Sequence, residues 1–123
     1  KALDKAVQLV IERKTRFLDV ISNRKRYTLP CDTITHIERL SREIIIYTDN
    51  GEAYKVYESL QAVSKRLPSY FSQCHSSFTA NLRYEKISQE TELTGGIKLP
   101  VGRRYAKPFK ADYLKYISEH AML

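Results

Sequence analysis

The run Arg42-Glu43-Ile44-Ile45-Ile46-Tyr47-Thr48-Asp49-Asn50-Gly51-Glu52-Ala53-Tyr54-Lys55-Val56-Tyr57 decides the fold class. Its first seven residues are rich in β-branched and aromatic side chains at strand length. Asp49-Asn50-Gly51 then supplies residues that tolerate positive φ, and Ala53 to Tyr57 resumes the strand texture. Upstream, Ile34-Thr35-His36-Ile37-Glu38 is another short β-branched piece, separated by the polar break Arg39-Leu40-Ser41, so three strands joined by tight turns form an antiparallel sheet. Further upstream, Phe17 to Ile21, the turn-like Ser22-Asn23-Arg24-Lys25, and Tyr27-Thr28-Leu29 before Pro30 read as a hairpin.

Downstream, Ser59 caps a helix expected to run through Leu67, with Leu60, Val63 and Leu67 on one face and Pro68 ending it. The stretch Cys74 to Leu82 follows, then a short alternating piece around Tyr84 to Ile87, and Gly95-Gly96 turns into a last strand over Ile97 to Val101. Helical spacing marks both ends: Leu3, Ala6, Val7, Val10 and Ile11, then Phe109, Tyr113, Ile117 and Ala121, with Asp112 and Glu119 outward. The expectation is a mainly β fold of small antiparallel sheets with one short internal helix, plus helical N- and C-terminal segments. Residues 1–14 form a helical linker, 15–109 the β-rich body and 110–123 the C-terminal helix.

At 123 residues the chain fits one ordinary domain. Twenty-one Lys and Arg against 14 Asp and Glu give a formal charge of +7, which favours a polyanion partner over a merely soluble basic protein. Lys98, Arg103, Arg104, Lys107 and Lys110 form a cluster without an acid. A second block, Arg13, Lys14, Arg16, Arg24, Lys25 and Arg26, is diluted by Glu12 and Asp19. Only folding can bring two such clusters to one face.

Cys31 and Cys74 match no zinc spacing and make a poor disulfide framework, so neither metal nor cofactor is expected and a reducing cytosol is the default. No apolar run reaches membrane-spanning length and no signal-peptide pattern opens the chain, which predicts a cytoplasmic protein without a membrane partner. A start at Lys1 without Met reads as an excised fragment whose missing domain lies upstream.

Enzyme chemistry finds little support. Cys74 and His75 are adjacent on a strand and point to opposite faces, and neither His36 nor His120 carries a motif partner. The Gly-Gly pair precedes a strand rather than a helix, so no phosphate-cradling loop is present. A helix-turn-helix needs two adjacent helices in mid-chain where one is evident, and Phe78-Thr79-Ala80-Asn81 is not an RNA-recognition strand. The nine tyrosines sit mostly at strand spacing, and the majority read as core or sheet cover rather than base-stacking platforms.

Leu29-Pro30-Cys31-Asp32-Thr33-Ile34-Thr35-His36-Ile37-Glu38, Tyr47 to Tyr57, Ser59-Leu60, Phe71 to Leu82, and Leu99-Pro100-Val101-Gly102-Arg103-Arg104-Tyr105 together resemble the LytTR DNA-binding domain of bacterial response regulators, the accessory-gene-regulator-like transcription factors. The most specific part is Phe71-x-x-x-His75-x-Ser77-Phe78-x-x-Asn81. The resemblance implies strand-connecting loops that enter successive major grooves of direct-repeat promoter elements on bent double-stranded DNA. It also implies an upstream receiver domain phosphorylated by a sensor histidine kinase, RNA polymerase as a further contact, and control of quorum-sensing, virulence or bacteriocin genes.

The resemblance places DNA contacts in three loops. The first is Arg39-Leu40-Ser41-Arg42, where Arg42 is the base reader and Arg39 and Ser41 flank it. The second is Ser76, where relatives commonly carry arginine or asparagine, which favours a phosphate or water-mediated contact here. The third is Arg103, with Arg104 and Lys107 as phosphate contacts, and with Gly102 where serine is frequent. His75, Phe78 and Asn81 are expected to serve the scaffold, through ring burial and an amide satisfying loop backbone. Cys74 matches a position that is redox-sensitive in some relatives, but its partner position holds Lys98. The alternative function is a protein-interaction module docking a partner or the receiver through the amphipathic ends.

Overall fold

A computed structural model describes residues 16–86, 91–93 and 97–120. The expected helix over 1–14, the Gly95-Gly96 turn, Ile87 and Ala121 lie outside the described residues. Strands β1 (Phe17–Ser22) and β2 (Lys25–Pro30) make the expected hairpin. Its two-residue turn holds Asn23 and Arg24 at φ 52° and 66°, the positive values that match the twist of a tight hairpin. Strands β3 (Ile34–Leu40), β4 (Glu43–Thr48), β5 (Ala53–Val56), β6 (Phe71–His75) and β7 (Phe78–Asn81) build a five-stranded antiparallel sheet in the order β5-β4-β3-β7-β6. Strands β8 (Glu85–Lys86), β9 (Thr91–Leu93) and β10 (Ile97–Leu99) form a third, three-stranded antiparallel sheet. Helix α1 spans Leu60–Ser64 and α2 spans Arg103–His120. The mainly β expectation holds.

Alternation along the central strands gives the large sheet two buried faces. On one face Ile37, Ile44, Ile46 and Val56 pack with Leu18, Val20 and Leu29 of the hairpin and with Leu60, Val63 and Leu67 around α1. Complete burial of each of those isoleucines stabilises the fold by roughly 1.5–3 kcal/mol. The other face, with Cys74 and Ala80, lies against Leu99, Phe109, Tyr113 and Tyr116. Asn81 crosses between strands, wholly buried: its Nδ2 donates to the Ile34 carbonyl at 2.8 Å and its Oδ1 accepts from the Arg83 N–H at 2.9 Å.

Three element bounds differ from the sequence reading. Arg39 and Leu40 are not a break but the last rungs of β3, opposite Ile44 and Glu43. The turn is therefore only Ser41-Arg42, with Ser41 at φ 59°. Helix α1 stops at Ser64, because Arg66 and Leu67 bond back to Val63 and Ser64, a tighter winding, ahead of Pro68. Helix α2 starts at Arg103, six residues before Phe109, and carries Pro108 inside it. Proline lacks the N–H that would bond the Arg104 carbonyl, which is why the sequence read as non-helical up to that point. The stripe facing the sheet is Phe109, Tyr113 and Tyr116; Ile117 is exposed, and Asp112 is tied down by the Ser72 hydroxyl at 2.6 Å.

Candidate nucleic-acid interface

Strand directions decide which turns share an end of the sheet. Strands β3, β5 and β6 run toward one end, and β4 and β7 run away from it, so the turn Ser41-Arg42, the residues after Val56 and the turn Ser76-Ser77 all lie together there. One bond fastens the first and last of these: the Arg39 N–H donates to the Ser77 carbonyl at 2.7 Å.

The start of α2 is held at the same end. The Gly102 N–H donates to the Cys74 carbonyl of edge strand β6 at 2.8 Å, and the Tyr105 N–H donates to the Gly102 carbonyl at 2.9 Å as the first turn closes. A Cβ on Gly102 would lie 3.6 Å from His75 Cδ2, which shows how closely the helix start abuts that ring. His75 also builds its own turn: Nδ1 accepts from the Ser77 N–H at 3.1 Å, which fixes the Nε2–H tautomer, and the ring meets Phe78 edge-on at 5.8 Å. Cys74 beside it is fully buried, its thiol donating to the Phe78 carbonyl at 3.8 Å.

The structure therefore brings together the turn holding Ser41 and Arg42, the turn holding Ser76, and the α2 start holding Arg103 and Arg104, with Arg39 one residue from the first turn and Lys107 one helical turn further along. Taking strands about 4.8 Å apart, the Ser41-Arg42 turn stands about 10 Å from the Ser76-Ser77 turn and about 17 Å from Gly102. Arg39, Ser41, Arg42, Ser76, Arg103, Arg104 and Lys107 are all exposed, and among the described residues none of the five cations enters an ion pair. Nearby acids are engaged: Glu43 faces Lys55 Nζ at 3.8 Å and Glu38 accepts from the Tyr47 hydroxyl at 2.9 Å. The first turn of α2 carries no acid, so its free N–H groups add to the positive field.

Two exposed side chains at this end were not singled out in the sequence. Leu40, 47% exposed, lies inside a stretch that reads as polar, and Tyr57, 78% exposed, closes a stretch that reads as strand although β5 stops one residue before it. His36 is a different matter. It is buried against the Tyr47 ring at 4.4 Å, and burial lowers its imidazole from the ordinary range while Glu38 opposes the shift. Among the described residues no cluster of His, Cys, Asp and Glu could hold a metal, and no helix is long and apolar enough to cross a membrane.

Comparison with known proteins identifies the family of the fold. The family model described as the LytTr DNA-binding domain matches residues 24–113. Transcriptional regulatory protein LytR of Staphylococcus aureus, from strains N315 and NCTC 8325 among others, is 38% identical over 75 residues, covering 54% of this chain. The chain spans 30% of the length of these relatives. Among solved structures, the LytTr DNA-binding domain of a Bacillus cereus protein described as a methyl-accepting/DNA response regulator superposes with a TM-score of 0.68. It shares 19% identity and covers 78% of this chain and 94% of its own, which is a likeness of fold.

Proposed function

Because this chain belongs to the LytTr DNA-binding domain family, we propose that it is the sequence-specific DNA-binding output domain of a two-component response regulator that controls transcription. The observation that carries the proposal is the row of Arg42, Ser76 and Arg103 along one end of the sheet, exposed and unpaired with acid. The backbones at the Ser41-Arg42 turn and at Gly102 stand about 17 Å apart against roughly 34 Å between successive major grooves of straight DNA, a gap that outward-reaching arginine side chains and bending of the DNA toward the protein close. The two arginines accordingly address successive major grooves of bent DNA, each able to form a bidentate fork with guanine, while Ser76 faces the backbone between them. Arg39, Arg104 and Lys107 neutralise phosphates, and Ser41 shapes the turn.

On this reading the protein acts in the cytoplasm on direct-repeat promoter elements, without a catalytic step of its own, under an upstream receiver domain phosphorylated by a sensor kinase. Quorum-sensing, virulence or bacteriocin genes are the proposed targets, and RNA polymerase a proposed further contact. For the interaction-module alternative, Phe109, Tyr113 and Tyr116 pack on the sheet, which leaves Leu114 and Ile117 as the exposed apolar side chains of the C-terminal helix.

Titration against the promoter beside the encoding gene and against random duplex tests the proposal. Arg103→Ala is expected to weaken specific binding by about 5- to 150-fold, the equivalent of 1–3 kcal/mol, with a much smaller loss on random DNA. Lys107→Ala should weaken both alike. Equal losses from Arg103→Ala on the two DNAs refute base reading, and the lack of any salt-sensitive shift at micromolar protein refutes DNA binding itself.

A further inference from the structure

The second basic block of the sequence is not accounted for by the three turns. Rung by rung, the β1–β2 hairpin starts at Phe17 opposite Pro30, where the Cys31 N–H bonds the Arg16 carbonyl, and ends at Ser22 opposite Lys25. From Pro30 the chain passes through the turn Cys31–Thr33 into the start of β3, so the hairpin base lies at the opposite end of the sheet from Arg42. Its tip lies at the same end as Arg42. A cleft between hairpin and edge strand β5 confirms the placement: Ile21, Asn23, Arg24 and Arg26 line one wall, Lys55 and Tyr57 the other.

We propose that this tip, Arg24-Lys25-Arg26 with Tyr57 beside it, is a fourth DNA contact that grips backbone phosphates flanking the sites addressed by Arg42 and Arg103. The inference rests on the DNA-binding reading above and extends it beyond the three turns.

Charge is the first argument. The acids around the tip are occupied: Asp19 accepts from the Thr28 hydroxyl at 2.6 Å, and both oxygens of Glu58 accept from Arg66 Nη2 at 2.8 Å. Arg24, Lys25 and Arg26 are exposed and, among the described residues, make no ion pair, so three adjacent cations face outward without compensation. Continuity is the second argument. Tyr57 follows Val56, which pairs with Ile44, two residues from Arg42. From β5 to Gly102 the end of the sheet measures about five strand spacings, or about 24 Å, and the hairpin tip, across the cleft from Lys55 and Tyr57, adds its cations at the β5 end of that row. An exposed tyrosine there offers a hydroxyl to a phosphate oxygen, and the cations supply a contact without sequence preference.

The test is a variant in which all three charges are removed while the turn is kept: Arg24→Asn, which tolerates the positive φ, with Lys25→Gln and Arg26→Gln. Unfolding by denaturant is measured alongside. The slope of log affinity against log salt should fall by about 2.7, near 0.9 per lost phosphate contact, with Lys25→Gln alone giving about 0.9. Hydroxyl-radical footprints on promoter DNA should shorten on one flank. Trimming that flank should weaken the unaltered chain and leave the triple variant unaffected. An unchanged slope and footprint in a folded triple variant overturn the hairpin contact while leaving the DNA-binding reading intact. If the unaltered chain binds no DNA, that reading and the hairpin contact fall together.

Discussion

Replacing His75 with Ala tests whether this ring is a strut between two recognition elements. The substitution removes the acceptor of the Ser77 N–H, held at 3.1 Å, and the edge-on contact with Phe78 at 5.8 Å. A net hydrogen bond contributes about 0.5–1.5 kcal/mol and an aromatic pair a similar amount, so the expected loss is about 1–3 kcal/mol. The ring also backs Gly102, whose N–H holds the α2 start to β6, so the variant loosens Ser76 and Arg103 together. Specific DNA affinity should therefore fall although His75 itself need not touch a base. His75→Asn, whose Oδ1 offers an acceptor near the position of Nδ1, should recover part of the stability and of the affinity. Denaturant titration and anisotropy on promoter DNA measure both quantities. A stability change below about 0.5 kcal/mol, or an Asn variant no better than Ala, refutes the strut.

Three further predictions bear on separate parts of the molecule. Asn81→Ala leaves the Ile34 carbonyl and the Arg83 N–H without their partner, so denaturation should show a loss of about 2–4 kcal/mol; a loss under 1 kcal/mol would falsify this. Burial holds folded His36 below its ordinary range, whereas the unfolded chain titrates near 6.5; stability is complete above that pH and declines as pH falls toward the folded value. His36→Gln should flatten this slope between about pH 7 and 5, and a variant that keeps the full decline assigns it to other groups. Gly102→Ser adds a Cβ 3.3 Å from Tyr105 Cδ2, which a small shift of the ring accommodates, and its hydroxyl can accept from an N–H of the first helical turn as a cap. Expected are a few tenths of a kcal/mol of stability and tighter binding to specific and random DNA alike; a loss of 1 kcal/mol or more refutes the fit.

The fold was legible where one period governed a whole element. Ile44, Val56 and their neighbours alternate, the turns carry residues that accept positive φ, and the sheet followed from them. It was least legible where local and tertiary preferences disagree. Pro108 argues against a helix that packing of Phe109, Tyr113 and Tyr116 nonetheless maintains, and Arg39-Leu40 looks polar and loop-like although its backbone completes the β3 ladder.

Of the candidate site, the charges around Arg103 were visible in sequence, but their nearness to Arg42 was not. That nearness comes from β7 pairing with β3, with Glu38 opposite Phe78, a contact between residues forty apart that no local pattern encodes. Tyr57 was missed for a related reason: strand spacing suggested a covered ring, and only the end of β5 at Val56 leaves it bare.

The bond from the Cys31 N–H to the Arg16 carbonyl gives the molecule a handle and a working edge. The chain enters the described fold at the hairpin base, while every turn proposed to meet the duplex lies at the far end of the strands. On the proposed DNA-binding reading, a domain seated on a duplex through these turns therefore holds Arg16 and the hairpin base on the side away from it.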